Sequence, residues 1–182
     1  GNTVLEVLEQ FSIESPQIDK PFRMPVQGVY KLTKHGDNRR IIAGTVETGM
    51  AAVGDEVVFY PSGKKSRVKS IEAFNTDIRT KVTAGYAAGF TLMEQIYVKR
   101  GEIAAIGGQS MPQIADRIRV SLFWLGKEPM VRNKEYYLKI GTAKVEACLE
   151  DIIVVIDASS LQTQDKDHIK RHDVAECILR LN

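Results

Sequence analysis

His168 and His172 stand four residues apart, a spacing that on a helix would put two imidazoles on one face and could hold a divalent metal. No Glu or Cys accompanies them at ligand spacing, and Lys170 and Arg171 between them repel a cation, so they read as two solvated loop histidines. The third histidine, His35, sits in the turn signal His35-Gly36-Asp37-Asn38. Cys148 and Cys177 lie in strand-like runs without a Cys-x-x-Cys or Cys/His spacing, which fits reduced thiols better than a disulfide framework or a zinc site. The chain has no Gly-x-Ser-x-Gly elbow, no His-Glu-x-x-His helix and no Gly-x-x-x-x-Gly-Lys-Ser/Thr phosphate loop. Gly85-Tyr86-Ala87-Ala88-Gly89 is glycine-rich but opens a strand, so it lacks the amide array of a helix N-terminus and reads as a barrel turn. Neither a catalytic, a cofactor-binding nor a metal-binding residue is expected in these residues.

What remains is binding chemistry. Gly63-Lys64-Lys65-Ser66-Arg67-Val68-Lys69 is the densest basic segment, and Lys65, Arg67 and Lys69 would project from one face of a strand. The plain reading is an outward-facing hairpin whose lysines protect a sheet edge; an anionic partner such as RNA is the other. Trp124, between Phe123 and Leu125 at the end of a strand, reads first as core or interdomain packing and second as a contact for a partner. Lys64, Lys65, Arg67 and Trp124 are therefore the candidate partner contacts.

Charge sets a limit on that partner. Residues 1–20 carry one Lys/Arg and four Asp/Glu, residues 21–108 carry 13 and 8, and residues 109–182 carry 11 and 11. The middle segment's surplus is a mild field, far below what nucleic-acid affinity alone would require. At 182 residues, 43% hydrophobic and 26% charged, the chain has the composition of one or two globular domains. No window approaches a membrane-spanning length of apolar residues, and the N-terminus lacks the features of a signal peptide, so no membrane contact and a cytoplasmic location are expected.

The elements that would position these groups are strands. Thr3 and Glu6 form a capping-box pattern ahead of a short helix with Val4, Leu5, Leu8 and Phe11 on one face. Pro16 and Pro21 then bracket a linker at residues 12–21. The runs Met24–Thr33, Ile41–Thr48, Glu56–Tyr60, Arg67–Phe74, Ala87–Leu92 and Ile103–Ile106 are rich in β-branched and aromatic residues and separated by turn signals. Six short strands with no helical pattern between them predict a small closed barrel. After the Gly107-Gly108 hinge, Ile118, Val120 and Leu122 alternate with Arg117, Arg119 and Ser121, and Tyr136–Ile140 and Ala143–Leu149 flank Gly141-Thr142 as a hairpin. Ile152–Ile156 continues as an apolar run, Ser159–Arg171 reads as a solvated loop, and Val174–Leu181 is a last strand. The fold expected is all-β: two small antiparallel β-barrels behind a short N-terminal helix. The divisions are 1–21, 22–107 and 108–182.

Five fragments in order carry a resemblance: Gly44-Thr45-Val46-Glu47-Thr48-Gly49, Val53-Gly54-Asp55-Glu56-Val57, Val68–Glu72, Ala84-Gly85-x-x-x-Gly89-Phe90 and Lys99-Arg100-Gly101-Glu102-Ile103. Together they resemble the second domain of translation-factor-type GTPases, a six-stranded barrel, over residues 22–106. Gly44, Gly49, Gly54, Gly85, Gly89 and Gly101 would serve its turns and strand corners. Residues 109–182 resemble the third domain. There, Tyr136–Thr142, Ala143–Leu149, Ile156–Leu161 and Trp124–Met130 are similar to the GTPase (large) subunit of sulfate adenylyltransferase, with fusion to an adenylylsulfate kinase left open.

The resemblance implies a non-catalytic two-barrel fragment of a GTPase that couples GTP hydrolysis to adenylylsulfate synthesis from ATP and sulfate. GTP and Mg would sit in a nucleotide-binding domain absent from these residues, the short helix being its remnant. The partners implied are that domain and the catalytic small subunit. Family members continue past Val174–Leu181, so the second barrel is expected to be incomplete, with an open edge available for self-association. The alternative is the barrel pair of a translation elongation factor that binds aminoacyl-tRNA, with Lys64–Lys69 touching RNA. A stand-alone binding module is a third reading.

Overall fold

The computed structural model describes residues 3–12, 15–32, 38–72, 79–157, 163–164 and 167–182. His35, the Gly36-Asp37 part of its turn, Phe74 and the segment Ala158–Leu161 lie outside them. The chain divides into two compact units, Gly1–Met111 and Pro112–Asn182.

The first unit opens with a single turn and a half of helix, α1 (Val4–Glu9). Its capping box is formed: the Glu6 N–H donates to Thr3 Oγ1 at 3.3 Å and the Thr3 N–H to Glu6 Oε2 at 2.6 Å. Those bonds hold the Glu6 carboxyl below the usual range. Val4, Leu5, Leu8 and Phe11 are all exposed. The linker is drawn onto the barrel: the Gly49 N–H donates to Gln17 O, Thr48 Oγ1 donates to Pro21 O, and Phe22 is fully buried.

Eight strands follow: β1 (Met24–Lys31), β2 (Arg40–Thr45), β3 (Met50–Ala52), β4 (Glu56–Tyr60), β5 (Lys64–Glu72), β6 (Lys81–Thr83), β7 (Ala87–Leu92) and β8 (Ile103–Ile106). Six of them close an antiparallel barrel in the order β1-β2-β7-β5-β4-β8, with β8 returning to β1. Alternation in β4 sends Val57 and Phe59 inward, where they meet Met24, Val26, Val68 and Phe90. Closure removes every edge strand from this sheet. Bulges between Val26 and Gly28 and between Val68 and Ser70 supply the bending that closure needs.

Three details depart from the sequence reading. The strand expected over Ile41–Thr48 ends at Thr45, because the Val46 N–H turns away to Tyr86 O. The strand expected from Arg67 begins at Lys64, because pairing with β4 starts directly after the Gly63 turn, at Phe59↔Lys64. β3 and β6 pair as an additional two-stranded sheet, with Ala51 and Val82 added to the same core.

The second unit contains β9 (Arg117–Phe123), β10 (Met130–Val131), β11 (Glu135–Ile140), β12 (Ala143–Asp157), β13 (Thr163–Gln164), β14 (His168–Ile169) and β15 (Asp173–Leu181). Its main sheet runs β11-β12-β15-β9, with β13 also on β12 and β10 paired separately with β14. Among the described residues it is an open sheet, with β11 and β9 at its edges. The two apolar runs at Ala143–Leu149 and Ile152–Ile156 are one 15-residue strand. Bulges between Leu149 and Asp151 and between Ile152 and Val154 bend it around a core of Met130, Leu149, Val155, Ile169, Ala175, Cys177 and Leu179. The stretch read as a solvated loop, Ser159–Arg171, contains β13 and β14, and Ile169 within it is fully buried.

Candidate functional site

The basic segment is a regular strand, so its side chains separate by parity. Lys65, Arg67 and Lys69 are exposed while Ser66 and Val68 between them are buried. Two of these cations are answered locally: Lys65 Nζ lies 3.6 Å from a Glu56 carboxylate oxygen, and Arg67 Nη1 donates to Gly54 O at 3.2 Å. Lys64 reaches across to the chain before β8, donating to Tyr97 O at 2.7 Å with its ammonium over the Tyr97 ring at 5.2 Å. Lys69 turns into a cavity.

That cavity has a volume of about 290 Å³ and an apolar wall of Val29, Ile42, Leu92 and Ile96. Its rim is polar: Arg39, Arg40 and Lys69 bring positive charge, and Glu72 one carboxylate. Glu72 is held by Arg39 at 3.1 Å and by the Ser70 hydroxyl at 2.7 Å, while Ser70 also bonds the buried Thr91 hydroxyl at 2.6 Å. A second, more open concavity of about 410 Å³ shares Val29 and Arg40 with the first and adds Lys31, Tyr97, Lys99 and Arg100. The Lys99 ammonium also lies over the Tyr97 ring, at 5.9 Å. Cross-strand pairing puts Lys31 opposite Arg40, two like charges face to face, a costly arrangement unless an anion lies near. Among the described residues, no carboxylate forms an ion pair with Lys31, Arg40 or Arg100.

Trp124 belongs to the second unit. It packs on that unit's core, meets Tyr136 edge to face at 5.7 Å, and donates its indole N–H to Glu128 O at 2.8 Å. Gly126 leaves it room, since a Cβ there would come within 2.6 Å of the indole ring. Around it, the His172 N–H donates to Trp124 O and the Trp124 N–H to Asp173 O. His172 is in the left-handed region at φ +72° and stacks on Phe123; His168 is in β14 and bonds the Asp167 carboxylate through Nδ1. The i,i+4 pair is therefore not on a helix, and no group of three potential metal ligands occurs among the described residues. That hydrogen bond from His168 holds the Asp167 carboxyl below its usual range.

The six singled-out glycines fall into two kinds. Gly49, Gly54, Gly85 and Gly101 have positive φ, whereas Gly44 and Gly89 are strand residues with no space for a side chain. At Gly44 a Cβ would come within 2.3 Å of Pro25 O; at Gly89, within 2.4 Å of an Ile41 methyl. Lys31, Arg39, Arg40, Tyr97, Lys99 and Arg100 were not singled out from sequence as a site. The available signal was the pair of dipeptides Arg39-Arg40 and Lys99-Arg100, which only the barrel order brings beside Lys31.

Residues 117–182 match the family model described as GTP-eEF1A C-terminal domain-like. Sulfate adenylyltransferase subunit 1 of Shewanella oneidensis is 36% identical over 161 residues, which is 88% of this chain and 32% of that protein. The protein of the same name from Aliivibrio fischeri is 32% identical over 181 residues, 100% of this chain and 37% of its own length. The bifunctional enzyme NodQ of a Rhizobium species is 30% identical over 177 residues, 97% of this chain and 27% of its own. Among solved structures, Sup35 complexed with GDP superposes with a TM-score of 0.81 at 17% identity, covering 100% of this chain and 44% of that one, a likeness of fold. The chain thus spans about a third of the length of the curated relatives it matches.

Proposed function

This chain is homologous over nearly its whole length to sulfate adenylyltransferase subunit 1 and corresponds to the two barrel domains of a translation-factor-type GTPase, and from that premise we propose that it is the docking body of a sulfate adenylyltransferase large subunit, coupling GTP hydrolysis to adenylylsulfate synthesis. In this reading the barrels carry out no bond-breaking step. They form a rigid surface whose presentation to the catalytic subunit changes when a nucleotide-dependent segment orders or releases. The observation that carries the reading is the continuous match running from α1 through both units.

The reading places GTP and Mg outside the residues present. The sequence has no phosphate loop, and the first turn of α1 is already closed by Thr3 and Glu6. The nucleotide would be held by residues outside these 182.

The test is a pull-down of the parent protein with its nucleotide domain, reading the protein bands and the 260/280 nm absorbance ratio. Recovery of one stoichiometric nucleotidyltransferase-type protein free of RNA, followed by GTP-dependent adenylylsulfate formation from ATP and sulfate, supports the proposal. Recovery of RNA released by salt, with no such protein, overturns it in favour of aminoacyl-tRNA binding, a reading favoured by the eEF1A-type match at residues 117–182.

A further inference from the structure

Two concavities of the first barrel share an edge at Val29 and Arg40, and together they make one surface with a distinct chemical order. At one end is the apolar-walled pocket closed by Ile42, Leu92 and Ile96. At the other are Lys31, Lys99 and Arg100 around Tyr97. Like charges that meet no carboxylate partner among the described residues repel one another, and an anionic ligand relieves that repulsion. The adjoining pocket asks for something further: an apolar group of side-chain size, attached to the same ligand.

Two features distinguish a polypeptide from a nucleic acid as that ligand. The pocket contains the Glu72 carboxylate, fixed by Arg39 and Ser70, which repels a phosphodiester but accepts a backbone or side-chain N–H. The surplus of positive charge over residues 21–108 is small, so a long phosphate contact has little to draw on.

We infer that this face of the first barrel receives an acidic segment of the catalytic subunit, its carboxylates meeting Lys31, Arg40, Lys99 and Arg100 and one apolar side chain entering the Val29–Ile96 pocket. The inference rests on the docking reading above and names the surface that does the docking. Rim charges of this kind act mainly on the association rate and its salt dependence, while a filled apolar pocket slows dissociation.

The experiment measures binding of the purified catalytic subunit to this full chain by biolayer interferometry at low and high salt. The doubly substituted K31E/R100E protein should bind about tenfold or more weakly at low salt, chiefly through a slower association rate, with the deficit shrinking as salt rises. Val29→Asn should weaken binding by about three- to tenfold through faster dissociation, with the salt slope unchanged. K127E/K139E, which makes the same charge change on exposed positions of the second unit, should bind like the parent chain. Thermal melts of each protein establish that it is folded. If the subunit binds and K31E/R100E and K127E/K139E behave alike, the surface is overturned and the docking reading stands. If the subunit fails to bind the unsubstituted chain, both are overturned, and salt-sensitive binding of a single-stranded RNA oligonucleotide that K31E/R100E abolishes would assign the face to RNA.

Discussion

At Gly49 two constraints coincide. Its φ is +72°, and a Cβ there would lie 2.6 Å from both the nitrogen and the Cα of Phe22. At Gly54 φ is +95° but the space beside it is open. Gly49→Ala must therefore add backbone strain to a collision with main chain that cannot swing aside, whereas Gly54→Ala adds strain alone. The expected losses are roughly 2–4 kcal/mol for the first and about 1–2 kcal/mol for the second, read as shifts in urea unfolding midpoint. Equal losses at the two sites would contradict the packing of the linker on the barrel. Cys177 offers a second check. It is fully buried, and burial pushes its thiol up to about 11. Native protein at neutral pH should leave this thiol unmodified by a disulfide reagent until the second unit opens, while unfolded protein should react at once. Because the folded thiol titrates above the unfolded one, its contribution to stability is complete below about 9, the unfolded value, and is lost as pH rises toward 11.

Among the elements, β9 carries the clearest consequence of an open sheet. It pairs with β15 on one side and is an edge among the described residues. Arg117 bonds Glu150 and Arg119 bonds Glu176, so the strand bears two bonded arginines where an apolar strand would invite another chain. The Arg119 hydrogen bond holds the Glu176 carboxyl below its usual range, and the same contact pushes the Arg119 guanidinium up. Folded stability from Glu176 is thus present above the unfolded carboxylate range and lost as pH falls through the lowered folded value. In Arg119→Gln, carbon-detected NMR titration should place Glu176 back in the ordinary range, with little change in melting temperature because the pair is solvent-exposed. An unmoved Glu176 titration would mean that the arginine is not its partner in solution.

For the molecule as a whole, legibility followed the length of the signal. The six strands of the closed barrel could be read because each is long enough to show alternation or an apolar run, as Glu56–Tyr60 and Ala87–Leu92 do. β3 and β6 could not, since three residues are too few to show a period, and β14 hid in a polar stretch where Ile169 is its one buried residue. The candidate site was legible only in part. Lys64 and Lys69 stood out as neighbours in one basic run, but Lys31, Arg40, Lys99 and Arg100 come from separate segments whose meeting depends on barrel closure. Lys65 and Arg67 belong to the same run and bond locally, to Glu56 and to Gly54 O, contacts that only the strand pairing reveals. The anchoring of Gln17–Phe22 has a mechanical consequence. Gln17 O, Pro21 O and the buried Phe22 ring fasten this segment to the barrel at three points within six residues. It is a root and not a string: a load arriving at Gln17 bears on the barrel wall itself, through two hydrogen bonds and a buried ring.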